Sequence, residues 1–360
     1  MAGAALLALA HGAAVLLAPL SPDELVVVDL GRLLRSACLG WVDIPWDQPP
    51  GAYLLSAALD GLGLPAVHAQ RAVGAGVVIA AWAVIDRRLA MPARAGWFVA
   101  CALSPALLGS ASLAMAHSLT TGAAALLLVG LADRNRAWIA ATLTVLVATS
   151  WAAWALVPVV GFVLLREERS ARALAPLAPA ILLGAAWLAL TALQMDWVLA
   201  RAGRATGRHG IPVVQALVSF VAGRRVHPGM MAAGGIALLV LGFLGAGLKD
   251  PLARAARDLA IGPWIVLIAT APLIWLGHDK FVLFLILPTL LLVALGAGAA
   301  WTSEHRAKPV GVVLACVLLV LLGMSGARFL RGIPHRHIPA AWVVEPLDWT
   351  CAEPFGPSNR

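Results

Sequence analysis

Two adjacent carboxylates, Asp23 and Glu24, follow the first apolar stretch of the chain directly. Further on, "WDQPPGAYLL" sets Asp47 and Gln48 before a double proline and places Tyr53, the chain's one tyrosine, just after it. Arg71 heads the next apolar stretch, His117 stands before a later one, and His278, Asp279, Lys280 and Phe281 open another. These residue types suit transfer chemistry on a charged leaving group. A carboxylate can take the proton of an attacking hydroxyl, an effect worth about 10²–10⁴-fold. A fixed cation can stabilise the charge that develops on a departing phosphate. Each residue also has a plainer reading. Asp23 and Glu24 fit the first turn of a helix capped by Ser21, and Asp47 fits the turn before Pro49. Arg71 and Lys280 fit snorkelling cations, Trp46 and Tyr53 fit an interfacial aromatic belt, and His117 fits a polar residue at a helix start.

The elements that must position these residues are set by composition. Of the 360 residues, 61% are hydrophobic and 12% charged, against about 25% charged in soluble domains. Apolar runs near or above about 18 residues recur along the length, which predicts an all-α, polytopic transmembrane helical bundle. They are too long for membrane strands of about 10 residues. Eleven spans are expected, at 2–20, 72–85, 95–111, 118–131, 137–149, 152–165, 173–193, 229–248, 259–276, 281–300 and 310–330. The first has a signal-like apolar run but lacks the basic start such a signal needs, so a retained span is expected.

Short basic connections set the orientation. Loops 86–94, 133–136, 166–172, 249–257 and 304–308 are each brief and rich in Arg or Lys, which marks them cytoplasmic. The N-terminus is then inside and the C-terminus outside. Residues 1–330 form the membrane domain, with outer loops 21–71 and 194–228, and 331–360 form an outer tail. Within the first loop, Asp29, Arg32, Arg35 and Ser36 share one arc of a helical wheel, opposite Val26, Val27, Leu30, Leu33, Leu34, Ala37, Cys38 and Trp41. That predicts an amphipathic helix lying on the membrane surface. In the second loop Arg201, Arg204 and Arg208 make a basic stripe, read either as a headgroup or pyrophosphate contact or as a solvated face.

The order of acidic pair, surface helix, "WDQPPGAYLL" and Arg71, with the late "LGHDKFVLFLILP", resembles membrane glycosyltransferases of the GT-C fold. The protein O-mannosyltransferase and lipid A aminoarabinose transferase families are the nearest match. The resemblance implies a sugar donor carried on a polyprenyl phosphate and a site at the outer face of a bacterial inner membrane. It implies a base at Asp23 or Glu24, donor-phosphate contacts at Arg71 and Lys280, and substrate contacts at Asp47, Gln48, Tyr53, His117 and His278. Two departures stand out. Relatives place a second acid where this chain has "SASLAMAHSLTTG", and that acid belongs to their acceptor or metal site. The aminoarabinose branch has a lysine where Gln48 stands. No cofactor is therefore expected with certainty, and a divalent metal stays open. Two other readings compete: a non-catalytic subunit that kept the fold and binds another membrane protein, and a transporter.

Cys38 and Cys351 both fall on the outer side, where oxidation is permitted. A bridge between them would tie the tail over the first loop. Cys101 and Cys316 fall inside spans and are expected in the core. The net charge of +8 implies membrane lipids as partners. Neither a basic tail nor a soluble basic domain points to nucleic acid, and no Cys/His spacing suggests a zinc site.

Overall fold

A computed structural model describes residues 2–19, 22–36, 49–111, 116–193, 228–270, 284–302 and 308–332. Among them every regular element is helical. In chain order these are α1 (Ala2–Leu17), α2 (Pro22–Arg35), α3 (Gly51–Gly61), α4 (Ala66–Asp86), α5 (Met91–Leu103), α6 (Pro105–Ala111), α7 (His117–Ala132) and α8 (Arg136–Thr149). A 3₁₀ turn at Ala152–Ala155 leads into α9 (Leu156–Glu168), and another at Ala171–Leu177 leads into α10 (Ala178–Ala192). Then come α11 (Pro228–Ala246), α12 (Pro251–Thr270), α13 (Ile286–Thr302) and α14 (Lys308–Gly332).

Each of the eleven expected segments contains helix. Three described helices are long and apolar enough to cross a membrane, at Ala66–Asp86, Ala171–Ala192 and Pro309–Arg328. By length and composition these are three candidate membrane spans. Shorter apolar helices such as His117–Ala132 and Ile286–Thr302 share the bundle without that length. One apolar cluster runs through it, from Leu7 by way of Trp97, Leu127, Leu146, Val160 and Leu259 to Leu291 and Leu322. Glycine permits the tightest crossing: Gly245 of α11 and Gly296 of α13 sit against each other's backbone with no room for a side chain. Cys101 is buried as expected, but Cys316 is exposed on α14, because α14 packs by its other side.

The segment expected as one span at 95–111 is broken. Ser104 is extended (φ −65°, ψ 116°), as a residue before proline tends to be, and Pro105 starts α6. Pro105 has no N–H to give the Cys101 carbonyl four residues back. The buried His11 of α1 stands in, with Nε2 3.3 Å from that oxygen.

At one end of the bundle the short connections are laced by ion pairs. Asp86 takes Arg94 (2.5 Å), Asp133 takes both terminal nitrogens of Arg88 (2.5 and 2.7 Å), and Glu167 takes Arg134 (3.4 Å). Glu168 takes Arg136, and Asp258 takes Arg166 (2.6 Å). Asp250 accepts from the N–H groups of Leu252 and Ala253, capping α12. Four of the five basic loops are thus gathered on one side. The fifth, 304–308, lies almost wholly outside the described residues, and so does nearly all of the tail, 331–360.

Candidate functional site

The acidic pair sits at the opposite end, where α1 finishes and α2 begins. Residues 18–21 separate the two helices, and Glu24 falls in the first turn of α2. Arg71, in the second turn of α4, reaches Glu24 in a forked contact: Nε donates to Oε1 at 2.7 Å and Nη2 to Oε2 at 2.6 Å. Nη1 also donates to the carbonyls of Val15 (3.1 Å) and Ala18 (2.9 Å), and Nη2 to that of Pro19 (3.0 Å). Guanidinium has five N–H donors, and all are used. Both side chains are fully buried, at 0% exposure each.

The placement follows from helix ends. The last carbonyls of α1 have no intrahelical donor and carry the negative end of its dipole, which favours a cation. The first turn of α2 carries the positive end, which favours an anion. Arg71 and Glu24 satisfy the two ends and each other. The result is a clasp that fixes the α1–α2 corner to α4. Asp23 precedes Glu24 in the same turn of α2; its side chain is outside the described set.

Next to the clasp, α2 packs on α3. Val27, Leu30 and Leu33 bury against Ala52, Tyr53 and Trp187, with Trp151 and Trp154 alongside. The expected amphipathic helix therefore exists, but its apolar face meets protein where lipid was expected. Gly31 permits this, since a Cβ there would lie 2.9 Å from Ala57 N and Ser56 Cβ. On the polar side Arg32 and Arg35 both pair with Asp60 of α3 at 3.1 Å. Burial raises the Asp29 carboxyl above the ordinary range, against the pull of Arg32. Pro50 caps α3, and Gly51 abuts the end of α8, where a Cβ would sit 2.6 Å from Ala148 O.

Tyr53, expected as a substrate contact, is 2% exposed and part of this packing. His117 opens α7 at 7% exposure, after Ala116 in the left-handed region (φ 45°). Its neighbour Ser118 bonds Ser110 (3.3 Å) and touches Gly74, one turn beyond Arg71 on α4. The start of α7 is thus brought to the same end as the clasp. Cys38, Asp47, Gln48, His278, Lys280 and Cys351 lie outside the described residues, as does the 201–208 stripe.

Sequence reasoning missed several residues here. Gln70 donates to Ala52 O at 3.2 Å. Its Oε1 and the Ser56 hydroxyl are buried with no hydrogen-bond partner among the described residues. Trp151 sits 4.6 Å from Trp154 and 6.0 Å from Trp187, ring to ring. Buried polar residues on α3 and α4 leave no motif, and only the small-residue spacing of Gly31, Ala52 and Ser56 hints at close packing. Among the described residues no group of three or more His, Cys, Asp or Glu could hold a metal ion.

No family model matches the sequence. No curated protein matches it either. Among solved structures the chain is similar to an oligosaccharyltransferase from Archaeoglobus fulgidus, crystallised with Zn and sulfate. The identity is 14% and the TM-score 0.48, with 89% of this chain and 53% of that one covered. The chain therefore spans about half the length of that enzyme.

Proposed function

We propose that this chain is an integral-membrane glycosyltransferase of the GT-C type. Its donor is a sugar on a polyprenyl phosphate, and its site opens at the bundle end away from the basic loops. The acceptor hydroxyl attacks the anomeric carbon, and its proton passes to a carboxylate. The bond from that carbon to phosphate breaks, and the polyprenyl phosphate leaves with the electron pair.

One observation carries this reading: the Glu24–Arg71 clasp fixes the acidic corner rigidly beside the start of α7. It also divides the roles. Both oxygens of Glu24 already accept from Arg71 in a buried site, so Asp23 is the base and Glu24 its support. Arg71 has spent its donors on Glu24 and α1, so the phosphate contact falls to Lys280. The substrate contacts are assigned to Asp47, Gln48, His117 and His278.

The test is transfer from lipid-linked sugars in membranes containing the purified protein. Asp23→Asn should lower transfer by about 10²-fold or more while the protein stays folded. Full activity in that variant overturns the mechanism. A second reading, a non-catalytic subunit, gains from the same clasp, which consumes the two charges most suited to chemistry. A stable stoichiometric complex with another membrane protein, inert towards every lipid-linked sugar, would favour it.

A further inference from the structure

The ion-paired end of the bundle is not electrically neutral. Each acid in loops 86–94, 133–136, 166–172 and 249–258 is already taken, by an arginine or by the start of α12. Beyond those pairs, Arg87, Arg169, Arg172, Lys249 and Arg254 are exposed and make no ion pair among the described residues. Acids and some arginines thus cancel in the connections, and a set of exposed cations without ion pairs among the described residues is left beside them.

A second observation points the same way. Arg134 (φ 56°) and Arg169 (φ 50°) occupy left-handed positions where helices end. Glycine adopts that conformation freely, while other residues lose about 1 kcal/mol or more there. Arginine stands at both positions despite the strain. The Arg134 charge is used in a loop-to-loop pair, and that of Arg169 faces outward. Helix C-termini favour nearby cations, which accounts for Arg87 and Arg169. Arg254 lies in the first turn of α12, where the dipole disfavours it, so helix ends alone do not explain the set.

We propose that this face is a docking surface for anionic phospholipid headgroups, held by Arg87, Arg169, Arg172, Lys249 and Arg254. The cations are spread over three connections around the rim of a bundle whose sides are apolar. That matches many singly charged headgroups at a leaflet and not one compact anion. The inference does not depend on the transferase reading.

The test uses the full chain in mild detergent with mixed phosphatidylglycerol and phosphatidylcholine, retained lipid being read by native mass spectrometry. The wild type should retain phosphatidylglycerol preferentially, and about 1 M salt should abolish the preference. A basic residue at a membrane surface is worth about fivefold in binding. The combined Arg87→Gln, Arg172→Gln, Lys249→Gln and Arg254→Gln variant should lose the preference by at least about tenfold. Its melting temperature in lipid-free detergent should match the wild type, because none of these side chains is in the ion-pair lacing. If the combined variant fails to fold, Arg87→Gln and Arg254→Gln alone carry the test, each with about a fivefold loss expected. Equal retention of both lipids by the wild type overturns the proposal. So does an unchanged preference in the variants, or displacement of the bound lipid by millimolar inorganic phosphate, which would mark a site for a soluble anion.

Discussion

Removing either charge of the Glu24–Arg71 pair leaves the other buried and uncompensated, a loss of about 3–5 kcal/mol. Glu24→Met should therefore lower thermal stability sharply, and Arg71→Met should do the same. The double change Glu24→Met with Arg71→Met should recover much of the loss, since apolar replacements of both partners are often near neutral. Thermal melts of the four proteins in one detergent decide this, and additive losses would refute the clasp. Asp23→Asn should leave the melt unchanged, which separates chemistry from support. At this scale the sequence was half legible. It marked Glu24 and Arg71 for separate duties, a base and a phosphate contact. It could not show that they bond each other across 47 positions, because that depends on how α1, α2 and α4 dock. The packing of Tyr53 was hidden for a related reason: an aromatic beside a double proline gives no sign of which helix will cover it.

Single elements respond to space and to local charge. Gly51→Ala should destabilise by about 1–3 kcal/mol, because the new methyl group would strike the Ala148 carbonyl at the end of α8. Gly12→Ala should be tolerated, since nothing lies within 4 Å of its Cβ direction. A stability scan comparing the two tests the packing of α3 on α8. Between α7 and α8, the hydrogen bonds from Arg88 hold the Asp133 carboxyl below its ordinary range. A carboxyl lowered by folding adds stability above its unfolded value near about 4 and gives it up as pH falls through the folded value. The Arg88 contribution should thus be full at neutral pH and vanish in acid below about pH 4. Arg88→Gln should cancel that part of the acid dependence, and an identical pH profile in both proteins would count against the pair. The sequence foresaw α2, because its period of 3.6 is clear. It did not foresee α3, whose short apolar run after "DQPPG" reads equally as a loop or as the lead into the next span.

For the whole molecule, the apolar runs made the helices legible, and the clustering of Arg and Lys grouped the short loops. The ion pairs now join four of those loops physically. What composition could not reveal is where runs break: among the described residues the expected spans 95–111, 152–165 and 173–193 contain a 3₁₀ turn or a break before proline. A pair of single-cysteine variants in a background without native cysteines would test the sidedness. Ala90→Cys lies beside the ion-paired loops, and Leu62→Cys lies beyond α3 at the clasp end. In sealed vesicles of uniform orientation, a membrane-impermeant thiol reagent should label one and spare the other. Labelling of both from the same side would show that the two bundle ends do not face opposite compartments.

The break between α5 and α6 has a mechanical consequence. With no N–H at Pro105, the backbone hydrogen bond to the Cys101 carbonyl that would brace this point is missing. Among the described residues the Cys101 carbonyl left over at the break is met by His11 of α1, 3.3 Å away. Sliding α1 along α5 would therefore strain that contact. Because Arg71 grips the C-terminal end of the same α1, one turn beyond His11, a single helix links the break before Pro105 to the acidic corner.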